Sequence, residues 1–140
     1  MKILIAADGS SYTKHMLAYI AAHDELFGKQ HQYTIVNAVA AVPPRAVAVL
    51  DRELLKEYYA DTAEAVFKPI RSFFKKQGVD ATFVFKVGHA AEVITKLADE
   101  QDADLVVMGS HGHSSIANLV LGSVATKVLA ACKTPVLLVR

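Results

Sequence analysis

Two short runs, Ile3-Leu4-Ile5-Ala6-Ala7 and Leu105-Val106-Val107-Met108, are apolar at every position, and each ends abruptly in a turn, Asp8-Gly9 in one case and Gly109-Ser110 in the other. A strand with one wet face alternates polar and apolar residues. A run without alternation belongs to a strand buried on both faces, the condition of a parallel sheet covered by helices. Each run is followed by helical spacing: Tyr12, Met16, Leu17, Ile20 and Ala21 behind the first, and Val124 to Ala131 behind the second.

The same strand-then-helix grammar runs through the rest of the chain. Ser10 or Ser11 can cap the first helix and Gly28 can stop it. Tyr33 to Val39 reads as a second strand, closed by Val42-Pro43-Pro44 and followed by a loop. From about Val49 to Gln77 apolar pairs keep a helical period, and the stripe of Tyr58, Tyr59, Phe67, Phe73 and Phe74 reads as core. Pro69 removes one backbone bond inside this helix and predicts a kink or break near Ala65. Ala81 to Val87 is a third strand, near an edge because one face carries Lys86; Val93, Ile94, Leu97 and Ala98 mark another helix. Thr134-Pro135 introduces a last apolar strand, Val136 to Val139. Five strands alternating with four helices predict an α/β fold: one doubly wound, five-stranded parallel sheet with helices on both faces, Rossmann-like, and right-handed crossovers.

A chain of 140 residues is the size of one domain, so residues 1–140 are read as a single unit. The formal net charge of +1 leaves no basic footprint for nucleic acid. The apolar runs are cut well before the roughly 18 residues of a bilayer span, so no membrane partner is expected. Met1-Lys2 passes directly into the first strand without the pattern of a secretory signal, and a cytoplasmic protein is expected. Cys132 is the only cysteine, which excludes an intrachain disulfide and favours an inert packed thiol.

Chemistry concentrates between the fourth strand and the last helix. Gly109-Ser110-His111-Gly112 is followed by nine residues and then Gly122-Ser123. Glycines there let backbone N–H groups converge on an anion, and the new helix adds unpaired donors and the positive end of its dipole. The pattern is that of a phosphate cradle. In doubly wound sheets ligands bind beyond the carboxyl ends of the strands where strand order reverses, which by analogy sets strands one and four side by side and Asp8 next to Gly109.

With this spacing, with Ile3-Leu4-Ile5-Ala6-Ala7-Asp8-Gly9-Ser10 at one end and Thr134-Pro135-Val136-Leu137-Leu138-Val139 at the other, the whole chain resembles the universal stress protein family, specifically its ATP-binding branch. The resemblance implies sheet order 3-2-1-4-5, ATP accompanied by Mg²⁺ at the switch point, a role in stress response, and a homodimer in which Val136 to Val139 pairs with its partner. Carried over residue by residue, it implies that Asp8 faces the adenosine part, that Ala38 touches adenine through its backbone, and that Ala7 is among the nucleotide-binding residues. Gly109, Gly112, Gly122 and Ser123 hold ribose and phosphates, the glycines by removing Cβ atoms where the triphosphate passes. Met108, Ser110, His111, Val124 and Ala125 form a further ring of contacts. Two positions depart from the pattern: Asn37 stands where the family often carries His, and His113 where Arg or Lys is common.

Plainer explanations stand beside these. The glycines could serve an ordinary strand-to-helix turn, and Asp8 could simply cap the first helix. His111 and His113 lack the neighbours a metal site needs and read as surface or phosphate-adjacent residues. Ser114 and Ser115 read as turn formers rather than phosphorylation sites, and Lys14 and Arg45 as solvated charges. No Gly-Lys-Ser/Thr ending, carboxylate base or arginine clamp accompanies the cradle. The chain therefore reads as a nucleotide-dependent switch rather than a metabolic enzyme. The alternatives are a slow ATP hydrolase or nucleotidyl-transfer enzyme, and a nucleotide-free dimerisation module.

Overall fold

The computed structural model of the protein describes residues 1–113 and 118–140; Ser114 and Ser115 lie outside them. Five parallel strands, β1 (Lys2–Ala6), β2 (Gln32–Val39), β3 (Ala81–Val87), β4 (Leu105–Gly109) and β5 (Val136–Val139), form one sheet in the order β3-β2-β1-β4-β5. The helices are α1 (Ser11–Ala22), α2 (Pro44–Val47), α3 (Arg52–Gln77), α4 (Ala90–Glu100) and α5 (Ser123–Ala131). The doubly wound architecture and the strand order agree with the sequence reading, and β3 is an edge strand.

Successive side chains of a strand point to opposite faces, so each central strand feeds two cores. Ile3 and Ile5 of β1 join Tyr33, Ile35 and Val39 of β2 against Met16 and Ile20 of α1 and Phe67, Ile70 and Phe74 of α3. Leu4 of β1 and Val36 of β2 join Val106 and Met108 of β4 against Ile94, Leu97 and Ala98 of α4 and Ala125 and Val128 of α5. This two-sided burial is why β1 and β4 tolerate no polar residue along their apolar runs. Cys132 is partly buried and packs against the second core.

Several boundaries differ from the sequence reading. α1 stops at Ala22, where the His23 ring bonds the Tyr19 carbonyl at 2.8 Å, well before Gly28. The stretch after Pro43 contains the short helix α2, and α3 starts at Arg52 rather than Val49 because the Asp51 carboxylate caps it, accepting from the Glu53 N–H at 3.2 Å. Tyr58 is not core: it is 54% exposed, while Phe67 and Phe74 are buried. No break occurs near Ala65, and α3 runs as one helix through Pro69. Both Ala65 and Pro69 are exposed, so the carbonyl that loses its N–H partner faces water rather than the core.

Pro69→Ala restores that donor and removes a ring that crowds the preceding turn, and should raise unfolding stability by about 1–3 kcal/mol. Urea unfolding checks this; an unchanged or lowered midpoint would mean that the proline ring makes contacts worth as much as the bond it removes.

Candidate functional site

The first connection beyond a strand end is tied down by its own side chains. The Asp8 carboxylate oxygen Oδ1 accepts from the Ser10 N–H at 2.9 Å and from the Thr13 hydroxyl at 3.0 Å. The Thr13 oxygen in turn accepts from the backbone N–H groups of Asp8 and Gly9, both at 3.2 Å. Ser10 occupies the N-cap position of α1 but its hydroxyl makes no capping bond there, so Asp8 and Thr13 close this turn. The capping explanation for Asp8 accounts for one of its two oxygens. The other, Oδ2, faces Gly112, where a Cβ would come within 2.6 Å of it.

The second connection begins where Ala6 of β1 and Met108 of β4 are register partners, so Asp8 and Gly109 emerge from adjacent strands at the same edge. The loop is pinched at its base: the Gly122 N–H donates to the Ser110 carbonyl at 2.8 Å, and the Ser110 N–H donates to the Val139 carbonyl at 2.8 Å. His111 Nε2 donates to the Leu119 carbonyl at 2.8 Å, because a carbonyl can only accept. Its Nδ1 then accepts from the Ser110 hydroxyl at 2.9 Å in the neutral ring, and the imidazole lies 5.0 Å from the Tyr12 ring. His113 Nε2 donates to the Asp8 carbonyl at 2.6 Å, linking the loop to the end of β1.

At two of the glycines the protein itself supplies a reason for the missing side chain. A Cβ on Gly109 would lie 2.7 Å from the Tyr12 Cβ, and one on Gly122 would lie 3.1 Å from the His111 Cα and 3.2 Å from the Ser110 carbonyl oxygen. The side chains they lack would strike protein, so tight packing of the loop on itself and on α1 selects glycine at these two positions.

Between these connections lies a cleft of about 450 Å³. Ala7 and Asp8 line it from the end of β1, Ala38 from β2, and Met108 and Gly109 from β4. The loop contributes His111, Gly112 and Gly122, and α5 contributes Ser123, Val124 and Ala125. Eleven of the twelve residues singled out in the sequence thus line one cleft. Ser110, named there as a further contact, is buried and does not line the cleft, and Lys14 and Arg45 are exposed and do not line it either. The sequence reading missed Thr13, and Ala90 and Ile94 of α4, which form part of the wall. Thr13 had a signal, a hydroxyl in the first turn after a strand-end carboxylate; Ala90 and Ile94 had none, being indistinguishable from ordinary core positions. Asn37 donates from Nδ2 to the Ala7 carbonyl at 2.9 Å and so extends the β1–β2 seam beyond its last paired residues.

Apolar walls from Val36, Ile94 and Met108 suit a flat ring, while the first amides of α5, capped by Gly122 without a side-chain bond, suit an anion. For a divalent ion the donor set is thin: Asp8 is the single carboxylate in the wall, and no group of three His, Cys, Asp or Glu comes together among the described residues. Mg²⁺ fits here only as an ion that arrives on phosphates, with Asp8 as the available protein carboxylate. No helix is long and apolar enough to cross a membrane among the described residues.

Gly112→Ala should destabilise the protein by about 1–3 kcal/mol, because the new methyl displaces a carboxylate anchored through its other oxygen. In an Asp8→Ala background most of that cost should vanish, and a double-mutant cycle by chemical denaturation measures it. Additive costs would show that Gly112 and Asp8 do not touch.

Known proteins place this arrangement in context. A universal stress protein from Thermus aquaticus is 34% identical over 138 residues, 99% of this chain and 97% of its own length. One from a Synechocystis strain is 32% identical over 139 residues, but this chain spans only 42% of that protein. Among solved structures, a universal stress protein from Lactobacillus plantarum superposes with a TM-score of 0.81 at 21% identity, covering 100% of this chain and 97% of its own. Another, solved in complex with cAMP, gives 0.71 at 23% identity, with 100% and 97% of the two chains covered. A third, from Archaeoglobus fulgidus in complex with dAMP, gives 0.62 at 22% identity, with 100% and 98% covered. The universal stress protein family profile matches residues 1–140, and the chain belongs to that family.

Proposed function

We propose that the protein is an adenine-nucleotide-binding regulator of the stress response, a switch that changes state with its ligand rather than a metabolic enzyme. One observation carries this reading: a strand-end carboxylate, a glycine loop and a helix N-terminus converge on a single cleft at the point where the sheet order reverses. The cAMP and dAMP complexes of structurally similar family proteins support adenine nucleotides as the class. ATP with Mg²⁺ is the ligand implied by the family resemblance. In this reading adenine lies against Ala38 and the apolar wall. Asp8 Oδ2 accepts from ribose hydroxyls, and Gly112, Gly122 and Ser123 bind phosphate through backbone amides and the serine hydroxyl.

Among the described residues most of the cleft's polar groups are committed to holding its loops together, and Asp8 Oδ2 is the carboxylate oxygen left for a ligand. Asp8 Oδ1 is committed to Ser10 and Thr13, and the Nε2 atoms of His111 and His113 are committed to carbonyls. A regulatory role follows more readily from such a site than turnover does. The reading also takes the protein as cytoplasmic and as a homodimer joined through β5, an edge strand on which Val136, Leu137 and Leu138 are only half-buried.

Titration calorimetry with AMP and ATP should show saturable binding, and Ser123→Ala should lose about 1.5–3 kcal/mol, or on the order of ten- to a hundredfold in affinity. Absence of binding by either nucleotide to the unmutated protein would end this reading. Light scattering should give the mass of two chains, and Leu137→Lys should halve it; a monomeric unmutated protein would remove the dimer from the account.

A further inference from the structure

The seam between β1 and β2 stops one rung short of where the backbone would carry it. Ala6 and Val36 are the last register partners, and the Ala7 N–H donates to the Val36 carbonyl at 3.0 Å. On the other side of β2 the Gly88 N–H donates to the Val39 carbonyl at 2.9 Å. In a parallel ladder alternate residues turn their N–H and C=O groups to alternate neighbours, so Ala38, like Val36, turns both toward β1. The next rung would join the Ala38 N–H to the Ala7 carbonyl and the Ala38 carbonyl to the Gly9 N–H. Neither bond is present. Asn37 Nδ2 donates to the Ala7 carbonyl at 2.9 Å instead, and the Gly9 N–H donates to the Thr13 hydroxyl at 3.2 Å. A carbonyl only accepts, so it is the amide nitrogen of Asn37 that faces Ala7. Ala38 lines the cleft and is partly exposed, which leaves one donor and one acceptor side by side in its wall.

Such a pair matches a base edge that sets an acceptor beside a donor, as N1 and the 6-amino group of adenine do. Guanine carries N1–H and O6 at the same places, so donor would meet donor and acceptor would meet acceptor. We infer that Asn37, if the cleft binds adenine nucleotides as proposed above, is the positioning residue for base selection. By occupying the Ala7 carbonyl it keeps the last rung of the seam from closing and holds the Ala38 N–H open for the base. Without that side-chain donor, the Ala7 carbonyl and the Ala38 N–H are each other's nearest unmatched partners in the ladder, and unmatched backbone groups pair. Asn37 is itself buried, 5% exposed, and acts through Ala38. Thr13 plays the complementary part, since its hold on the Gly9 N–H leaves the Ala38 carbonyl open.

Amide hydrogen exchange followed by NMR on the unmutated protein tests the open rung without any variant. The Ala38 amide should exchange on the order of a hundredfold faster than those of Val36 and Val39, and saturating AMP should slow it while GMP at the same concentration does not. Calorimetry should find AMP bound at least about tenfold more tightly than GMP. In Asn37→Leu, which is similar in size but has no donor, the Ala38 amide should become protected without ligand and the AMP-to-GMP ratio should fall toward one. A protected Ala38 amide in the unmutated, ligand-free protein would overturn the inference while leaving nucleotide binding intact. So would a folded Asn37→Leu variant with an unchanged ratio, the result expected if Asn37 serves stability alone. Failure of AMP to bind the unmutated protein would instead remove the adenine-nucleotide reading on which the inference rests.

Discussion

Burial of β1 and β4 on both faces is the constraint from which the rest of the molecule follows. Ile3 and Ile5 must meet α1 and α3 while Leu4 meets α4 and α5, so helices have to cover both sides of the strand pair. Parallel strands need crossover connections, and β1 is extended to one side by β2 and β3 and to the other by β4 and β5. The chain therefore leaves the ends of β1 and β4 in opposite directions, and the gap it leaves at their carboxyl ends is the cleft. The site is a consequence of how the core is covered rather than an addition to a finished fold.

Much of this could be read in the residues. The unbroken apolar runs gave the sheet, and the spacing from Gly109 to Ser123 marked the residues that gather at the cleft. What could not be read has identifiable physical causes. The proline in α3 is tolerated because its unpaired carbonyl faces solvent, and helix phase relative to the core is a tertiary fact. The cap at Asp51 overrode apolar periodicity in setting where α3 begins. Tyr58 and Tyr59 are sequence neighbours, but only Tyr59 packs against the core and reaches the Val42 N–H, at 2.9 Å. Ala90 and Ile94 of α4 join the cleft wall through crossover geometry that no local pattern encodes.

The glycines show most clearly how a motif can be recognised before its cause is understood. Their spacing points to a cradle, and the positions a Cβ would occupy at Gly109 and Gly122 lie against Tyr12 and the loop backbone. The two ends of the loop are held by these contacts and by the Gly122 N–H bond to the Ser110 carbonyl. The requirement for glycine at Gly109 and Gly122 therefore comes from close packing within the protein. Gly112 lines the cleft and also sets the distance to Asp8 Oδ2.

The central claim is that one cleft, built from the β1 and β4 connections and the start of α5, holds an adenine nucleotide. Two-dimensional amide NMR during an AMP titration addresses it directly, because it reports where the ligand sits as well as whether it binds. The amide signals of Gly112, Gly122, Ser123 and Val124 are expected to move together and saturate, while those of Gln32 and Gln101 at the opposite end of the sheet stay in place. Unmoved signals at the glycines, or shifts confined to another face of the molecule, would contradict the account.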